Sequence, residues 1–414
     1  MKRIFAFITL CSSLWASAQQ PTEITLLPNE QWWGGFTGVG KEMPYQPSER
    51  IYNLRTENFN NQSVPFLYSN QGRYITSEAP FAYQFKEGKI LITPSRAEVS
   101  CHTAGSTLKS AYQAVSKQYF PPSGVIPPEV FFTKPQYNTW IELIYNQNEK
   151  DVLAYAKAIL DNGMPTGVIM IDDNWQKDYG VWQFRPDKFP TPKEMINQLH
   201  QMGFKVMVWV CPFVSPDSQE YRFLRDKGYL VKKKGADTPA ILDWWNGLSA
   251  CYDLSNPEAF AYFVNMLKDL QKEFKFDAGD PERYLAEDVD VFDQKSYDTE
   301  QTYLWGKLGL EFPYNEFRAC WKLGGQALVQ RLGDKSYSWD GVARLVPDMI
   351  AAGLNGYAFA CPDMIGGGEY GSFLNVDPTK FNQKLIVRSC QIHSMMPMMQ
   401  FSVAPWRILS KENL

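Results

Sequence analysis

Acidic residues recur immediately after short apolar runs. Asp172 and Asp173 follow 167–171, Asp277 follows 274–276, Asp334 follows 328–332, and Asp363 follows 356–361. One acid behind a strand usually just caps the next helix. Four acid-bearing strand ends mean more, because in a barrel of parallel strands all C-terminal strand ends open on one face. The acids then share a pocket. Two carboxylates facing a sugar ring can cleave a glycosidic bond: one attacks or stabilises the anomeric carbon, and the other protonates the leaving oxygen. Aromatic residues make up 15% of the chain, with 13 Trp and 22 Tyr. They suit the apolar C–H faces of sugars, although they serve equally as core fillers.

Other chemistries lack parts. The only histidines are His102, His200 and His393, and His200 sits one residue off the apolar stripe of a helix. A Ser-His-Asp triad or a His-rich metal site is therefore unsupported. Cys101, Cys211, Cys251, Cys320, Cys361 and Cys390 are scattered without a C-x-x-C pair. No metal is expected, and free buried thiols are expected rather than disulfides. Acids alone can hold Mg2+ or Ca2+, but D-x-D-x-D spacing is missing. No cofactor is expected, since no G-x-G-x-x-G follows a strand. A net charge of -4 offers no basic excess for phosphates, so nucleic acid is not an expected partner. The expected partner is an oligosaccharide, polysaccharide or other glycoside.

The elements that must position these acids fall into two textures. From Pro21 to about Ser116, short apolar runs are broken by Gly, Pro, Asn and Ser, which predicts a β-sandwich. Pro121-Pro122, Pro127-Pro128 and Pro135 then mark a connector. After Tyr137, strands and helices alternate. Strands are predicted at 138–141, 167–171, 205–210 and 274–276, and near 317–321, 328–332 and 356–361. Helices are predicted at 150–160 and at 192–202, the latter capped by Thr191 and stopped by Gly203. Fully apolar strands in β-α repeats predict a parallel sheet with helices outside, and a barrel rather than an open sheet. The expected organisation is a leader at 1–18, an N-terminal β-sandwich at 19–125 and a (β/α)8 TIM barrel at 126–414. The leader has Lys2 and Arg3, an apolar run at 4–15 and a small-residue site at Ala16-Ser17-Ala18. It reads as a signal peptide, giving a secreted or periplasmic protein. Leu10 is too large for the usual lipoprotein site before Cys11, and no integral membrane segment is expected.

Several motifs add a resemblance. Ile171-Asp172-Asp173-Asn174-Trp175-Gln176 with Tyr179-Gly180 and Lys188-Phe189-Pro190, Trp244-Trp245-Asn246-Gly247, Phe274-Lys275-Phe276-Asp277-Ala278-Gly279-Asp280, Arg331-Leu332-Gly333-Asp334 and Cys361-Pro362-Asp363-Met364-Ile365-Gly366-Gly367 occur in that order. Together they resemble glycoside hydrolase family 31, in its branch of α-galactosidases and myogenesis-regulating-glycosidase-like proteins, over about 137–407. The resemblance implies a retaining α-glycosidase with Asp277 as nucleophile and Asp334 as acid/base. It implies sugar contacts from Asp172, Asp173, Trp209, Trp245, Lys275, Arg318, Arg331 and Asp363. Asp340 is the competing acid; Asp334 is preferred because it directly follows the apolar strand and keeps the spacing to Arg318 and Asp363. Lys275 and Arg318 supply positive charge, though which acid each serves is not readable. Retention implies carboxyl groups about 5–5.5 Å apart.

Arg331 stands where the family's glucosidases have tryptophan, and Ser402 where they have histidine. With Met396-Pro397-Met398-Met399-Gln400-Phe401-Ser402, these departures favour an α-galactoside over an α-glucoside or α-xyloside. A non-catalytic carbohydrate-binding relative is the rival of another class. Trp32-Trp33-Gly34-Gly35 resembles a loop that reaches the pocket, but reads equally as a strand edge with packed indoles. In relatives, Trp406 precedes an eighth barrel helix and C-terminal β-domains, so a truncated barrel is expected here. Residues 19–414 alone should then be poorly active and melt without a sharp transition. High specific activity with a steep calorimetric melt would contradict this.

Overall fold

The computed structural model describes residues 21–375, 377 and 381–414; the proposed leader and its cleavage site lie outside them. Two antiparallel sheets come first. One runs Thr22–Thr25, Lys89–Pro94, Phe81–Lys86, Tyr52–Asn53. The other runs Trp32–Phe36, Gln62–Ser69, Arg73–Ser77, Val99–Thr103. Phe81, Tyr83 and Phe85 are buried and alternate with the partly exposed Ala82, Gln84 and Lys86, as a strand with one buried face requires. They meet Trp32, Leu67 and Ile75 of the other sheet in one core. The Trp32–Gly35 stretch is thus a strand, and Trp32 is fully buried in the sandwich. It does not line the acidic cavity. The strand texture expected up to Ser116 ends earlier. Leu108–Tyr119 is a helix, because Thr107 and Ser110 cap its start reciprocally. Its Ala111 and Val115 pack with Val64 and Phe66 on the outer face of the second sheet.

Eight parallel strands follow: Gln136–Asn138, Val168–Ile171, Lys205–Val210, Glu273–Phe276, Tyr314–Phe317, Gln330–Arg331, Ala360–Cys361 and Gln400–Phe401. The eighth pairs with the first, Gln400 against Gln136. Ile365, just past the seventh, bridges Phe401 and brings the ring round. All four residues of Val168–Ile171 are buried, because the barrel interior covers one face and helices the other. The strands are shorter than their apolar runs suggest. The first stops at Asn138, whose Oδ1 accepts the Trp140 amide at 2.8 Å, and Trp140–Leu143 is a helical turn. That turn puts Trp140 at the barrel mouth rather than in its wall. Pro192–Gln201 is helical as expected, but Thr191 does not cap it: its hydroxyl donates to Glu149 Oε1 at 2.6 Å.

Between the fifth and sixth strands the described residues contain no α-helix. The connection instead lends Cys320–Trp321 to the sandwich as an extra strand, parallel to Gln62–Ser69. Trp321 is fully buried among the sandwich residues, so the two sheets and the barrel share side chains. Among the described residues the six cysteines are unpaired; Cys211, Cys251, Cys320 and Cys361 are buried, whereas Cys101 is exposed. No described helix is long and apolar enough to cross a membrane. Replacing Trp321 by Ala leaves a cavity in a joint that neither domain can refill from its own sequence. Urea denaturation should show a loss of about 3–5 kcal/mol, and a loss below about 1 kcal/mol would mean that the joint is loose.

Candidate active site

A cavity of about 330 Å3 opens at the C-terminal ends of the barrel strands, a size at the low end for small-molecule sites. Nine of the predicted site residues line it: Asp172, Asp173, Trp209, Trp245, Lys275, Asp277, Arg318, Arg331 and Asp334. Asp277 stands just past the fourth strand, where its backbone amide still bonds Val210. Its carboxylate is buried and fully engaged. Oδ1 accepts Arg318 Nε at 2.9 Å and the Ala278 amide at 2.9 Å, and Oδ2 accepts Trp209 Nε1 at 3.0 Å. Burial alone pushes its pKa up, but Arg318, Lys275 and Arg331, helped by the indole hydrogen bond, hold it far below the usual carboxylate range. Asp277 is therefore an anion throughout the working pH range.

Arg318 is fixed from its other side. Its Nη1 and Nη2 reach Asp280 at 3.0 and 2.7 Å, a bidentate pair that sets the plane of the guanidinium. Asn58 of the sandwich donates to Asp280 Oδ1 at 2.8 Å. Lys275 takes Asp172 as its partner at 2.6 Å. Burial acts to lower the Lys275 pKa, but Asp172 and Asp277 outweigh it and raise it, so the ammonium stays charged. Asn138 Nδ2 also donates to Asp172, at 2.7 Å. Asp173 accepts Tyr179, Asn246 and Gln176 at 2.9, 2.8 and 3.0 Å. Burial and the neighbouring Asp172 charge nevertheless raise its pKa to about 6. The sequence left open which acid each cation serves. In the structure Lys275 pairs with Asp172, Arg318 with Asp277 and Asp280, and Arg331 with Asp334.

Asp334 differs in kind from Asp277. Its side chain is 49% exposed, and Arg331, itself buried, is its ion-pair partner. Gly368 closes over it, and a Cβ there would overlap Asp334 Oδ2, so a larger residue would push the carboxylate aside. The rival acid Asp340 lies in the first turn of helix Trp339–Leu354, with Ser338 as the N-cap. It is 69% exposed and paired with Lys41, outside the 330 Å3 cavity.

Asp363 is the one predicted sugar contact that does not line the cavity. It is buried behind the Asp334 loop, where Oδ2 accepts the Lys335 amide at 2.8 Å and Oδ1 the Met364 amide at 2.6 Å. Burial, with the Asp334 charge, raises its pKa to about 7 against the pull of Lys335. It braces the loop. Ser402 likewise turns away, donating to the Gly367 carbonyl at 2.6 Å. Sequence reasoning missed Asn60, Trp140, Met364 and Gly368, which complete the lining. Gly368 and Met364 lie in or beside a quoted motif. Trp140 was lost to a misread strand, and Asn60 belongs to the other domain. Among the described residues no group of three His, Cys, Asp or Glu is placed to hold a metal ion.

Carboxylates thus gather at the mouth of a parallel barrel, one locked between cations and one half-exposed. Residues 126–407 match the Glycosyl hydrolases family 31 TIM-barrel domain, and the chain belongs to that family. The mouse myogenesis-regulating glycosidase is 29% identical over 318 residues, covering 73% of this chain and 44% of its own length. An α-xylosidase of Lactiplantibacillus pentosus is 26% identical, covering 66% of this chain and 34% of its own. A Flavobacterium johnsoniae GH31 dextranase solved with glucose superposes with a TM-score of 0.75 at 18% identity, covering 95% of this chain and 52% of that one. The chain thus spans less than half the length of these two curated relatives.

Removing the cation tests the electrostatics. In Arg318→Met, Asp277 loses the charge that lowers its pKa, so its protonation should move up by about 1–3 pH units and cut kcat/KM at low pH where the parent is unaffected. A low-pH profile that keeps the parent's shape would show that Arg318 does not set the ionisation of Asp277.

Proposed function

We propose that this protein is a retaining α-glycoside hydrolase in which Asp277 is the nucleophile and Asp334 the acid/base. The observation that carries the reading is the contrast between the two aspartates around one cavity. Asp277 is buried, hydrogen-bonded by Trp209 and flanked by Arg318 and Lys275, so it is held ionised and aimed. Asp334 has a half-exposed carboxyl that can meet both a leaving oxygen and water. In the first step Asp277 attacks the anomeric carbon and the C–O bond to the leaving group breaks. The departing oxygen takes the Asp334 proton, and a glycosyl ester of Asp277 remains. For this the substrate must part Asp334 from Arg331. In the second step Asp334 takes a proton from water, which attacks the same carbon and frees Asp277. Two inversions leave the configuration retained.

The glycone we favour is an α-galactoside. Arg331 and Ser402 replace an aromatic and an imidazole, and Ser402 is tied to a backbone carbonyl. Neither reproduces a glucosidase pocket. The paired acids Asp172 and Asp173 add acceptors on the hydroxyl side. α-Glucoside and α-xyloside are the nearest alternatives. The leader motif supports a secreted or periplasmic location.

A panel of nitrophenyl α-galactoside, α-glucoside and α-xyloside, run on the parent, Asp277→Asn and Asp334→Asn, tests the reading. Asp277→Asn should lose at least about 10⁴-fold in kcat. Asp334→Asn should lose about 10²–10⁴-fold, most on the poorest leaving groups. Sugar binding by the parent without release of nitrophenol would make the protein a carbohydrate-binding relative instead.

A further inference from the structure

Asp334 carries a half-exposed side chain on a backbone that is pinned before and after it. Arg331 is the ion-pair partner of its carboxylate, and that pair must open when substrate enters. From then on the aim of the carboxyl depends on how its neighbours in the chain are fixed. Asn61 Oδ1 of the sandwich accepts the Gly333 amide at 2.7 Å, and Asp363 Oδ2 accepts the Lys335 amide at 2.8 Å. The side chain of Lys335 joins these anchors.

Lys335 follows Asp334 in the chain, yet its side chain turns inward and is only 3% exposed. Its Nζ donates to the Gly333 carbonyl at 3.1 Å and to the Pro362 carbonyl at 2.8 Å, and it pairs with Asp348 Oδ2 at 3.3 Å. An ammonium has three protons, and three acceptors meet it here. They come from the residue before Asp334, from the end of the seventh strand and from helix Trp339–Leu354. We infer that Lys335 is a positioning residue for the acid/base, fixing the Asp334 backbone so that the carboxyl meets the glycosidic oxygen. This rests on the acid/base role proposed above for Asp334.

Burying an ion pair costs several kcal/mol per charge, and an apolar pair of similar volume often holds a fold as well. What the charge adds here is direction. Asp348 is a fixed anchor: its side chain is fully buried, and its Oδ1 accepts the Gly40 amide of the sandwich domain at 3.0 Å. The two domains approach so closely there that a Cβ on Gly40 would lie 2.3 Å from the Pro347 carbonyl. Asp348 therefore cannot follow a loop that drifts. Asp277 is held by a separate set of donors, Arg318, Trp209 and the Ala278 amide. Losing the Lys335 ammonium should disturb the acid and spare the nucleophile.

The test varies the leaving group, because only an oxygen that needs a proton feels a misplaced acid. Of galactose, glucose and xylose, the sugar that the parent hydrolyses best is offered in two forms. One is the phenyl α-glycoside; the other is the α-glycosyl fluoride, whose fluoride departs without a proton. Lys335→Met should lose about 10–100-fold in kcat/KM on the phenyl glycoside and stay within about twofold on the fluoride. Equal losses on both substrates, or no loss on either, overturn the assignment. Asp348→Asn keeps the shape of the clamp and removes its anion, so it should show the same selectivity at a smaller loss. Equal losses or none in Asp348→Asn also overturn the assignment, whether or not Lys335→Met folds. Asp334→Asn is the reference. If it shows no leaving-group selectivity, or if the parent cleaves neither form of any of the three sugars, the acid/base reading itself fails and this assignment falls with it.

Discussion

Arg318 holds the site together. It is buried, and it donates to Asp277 through Nε and to Asp280 through both terminal nitrogens. A buried cation between two buried carboxylates is tolerable only when every strong donor is matched, because desolvating such charges costs several kcal/mol each. The matching here is also directional. The fork on Asp280 fixes the guanidinium plane, and the fixed plane aims Nε at Asp277. Asp277 therefore owes both its ionised state and its orientation to an acid three residues further along its own loop.

That geometry depends on the sandwich as much as on the barrel. Asn58 holds Asp280, Asn60 lies 3.5 Å from Arg318 Nη1, and Asn61 holds the Gly333 amide. In return the barrel places Trp321 inside the sandwich core. A barrel with this sequence but no sandwich would leave Asp280 short of a donor and the Asp334 loop without its tether. The N-terminal domain thus belongs to the active site rather than serving only as an appendage.

The lining of the cavity combines rigid and adjustable parts. Lys275 and Asp172 sit at strand ends, where backbone pairing fixes their positions. Asp334 lies on a loop with half its side chain in solvent, held by Arg331 and roofed by Gly368. Rigid ionisation suits the attacking role proposed for Asp277. Exposure suits the role proposed for Asp334, exchanging a proton with a leaving oxygen and then with water.

Much of this was written in the sequence. Apolar runs ending in acids placed Asp172, Asp173, Asp277 and Asp334 at one barrel mouth, because period and burial along a strand are local properties. The motif order carried the family for the same reason. Local signals failed where a distant contact decided the outcome. Asn138 ended the first strand with its own side chain and moved Trp140 to the rim. Asp363 looked like its fellow acids, but folding turned it onto two backbone amides. Trp32 read as a pocket loop or a packed strand, and only the opposite sheet settled which. Asn58, Asn60 and Asn61 carried no signal, since their partners lie more than 200 residues away. The sequence by itself determined which groups carry charge and on which strand ends they stand. Only the tertiary structure decided which cation each acid meets, because pairing inside a barrel is set by strand neighbours across the ring and by a second domain, not by distance along the chain.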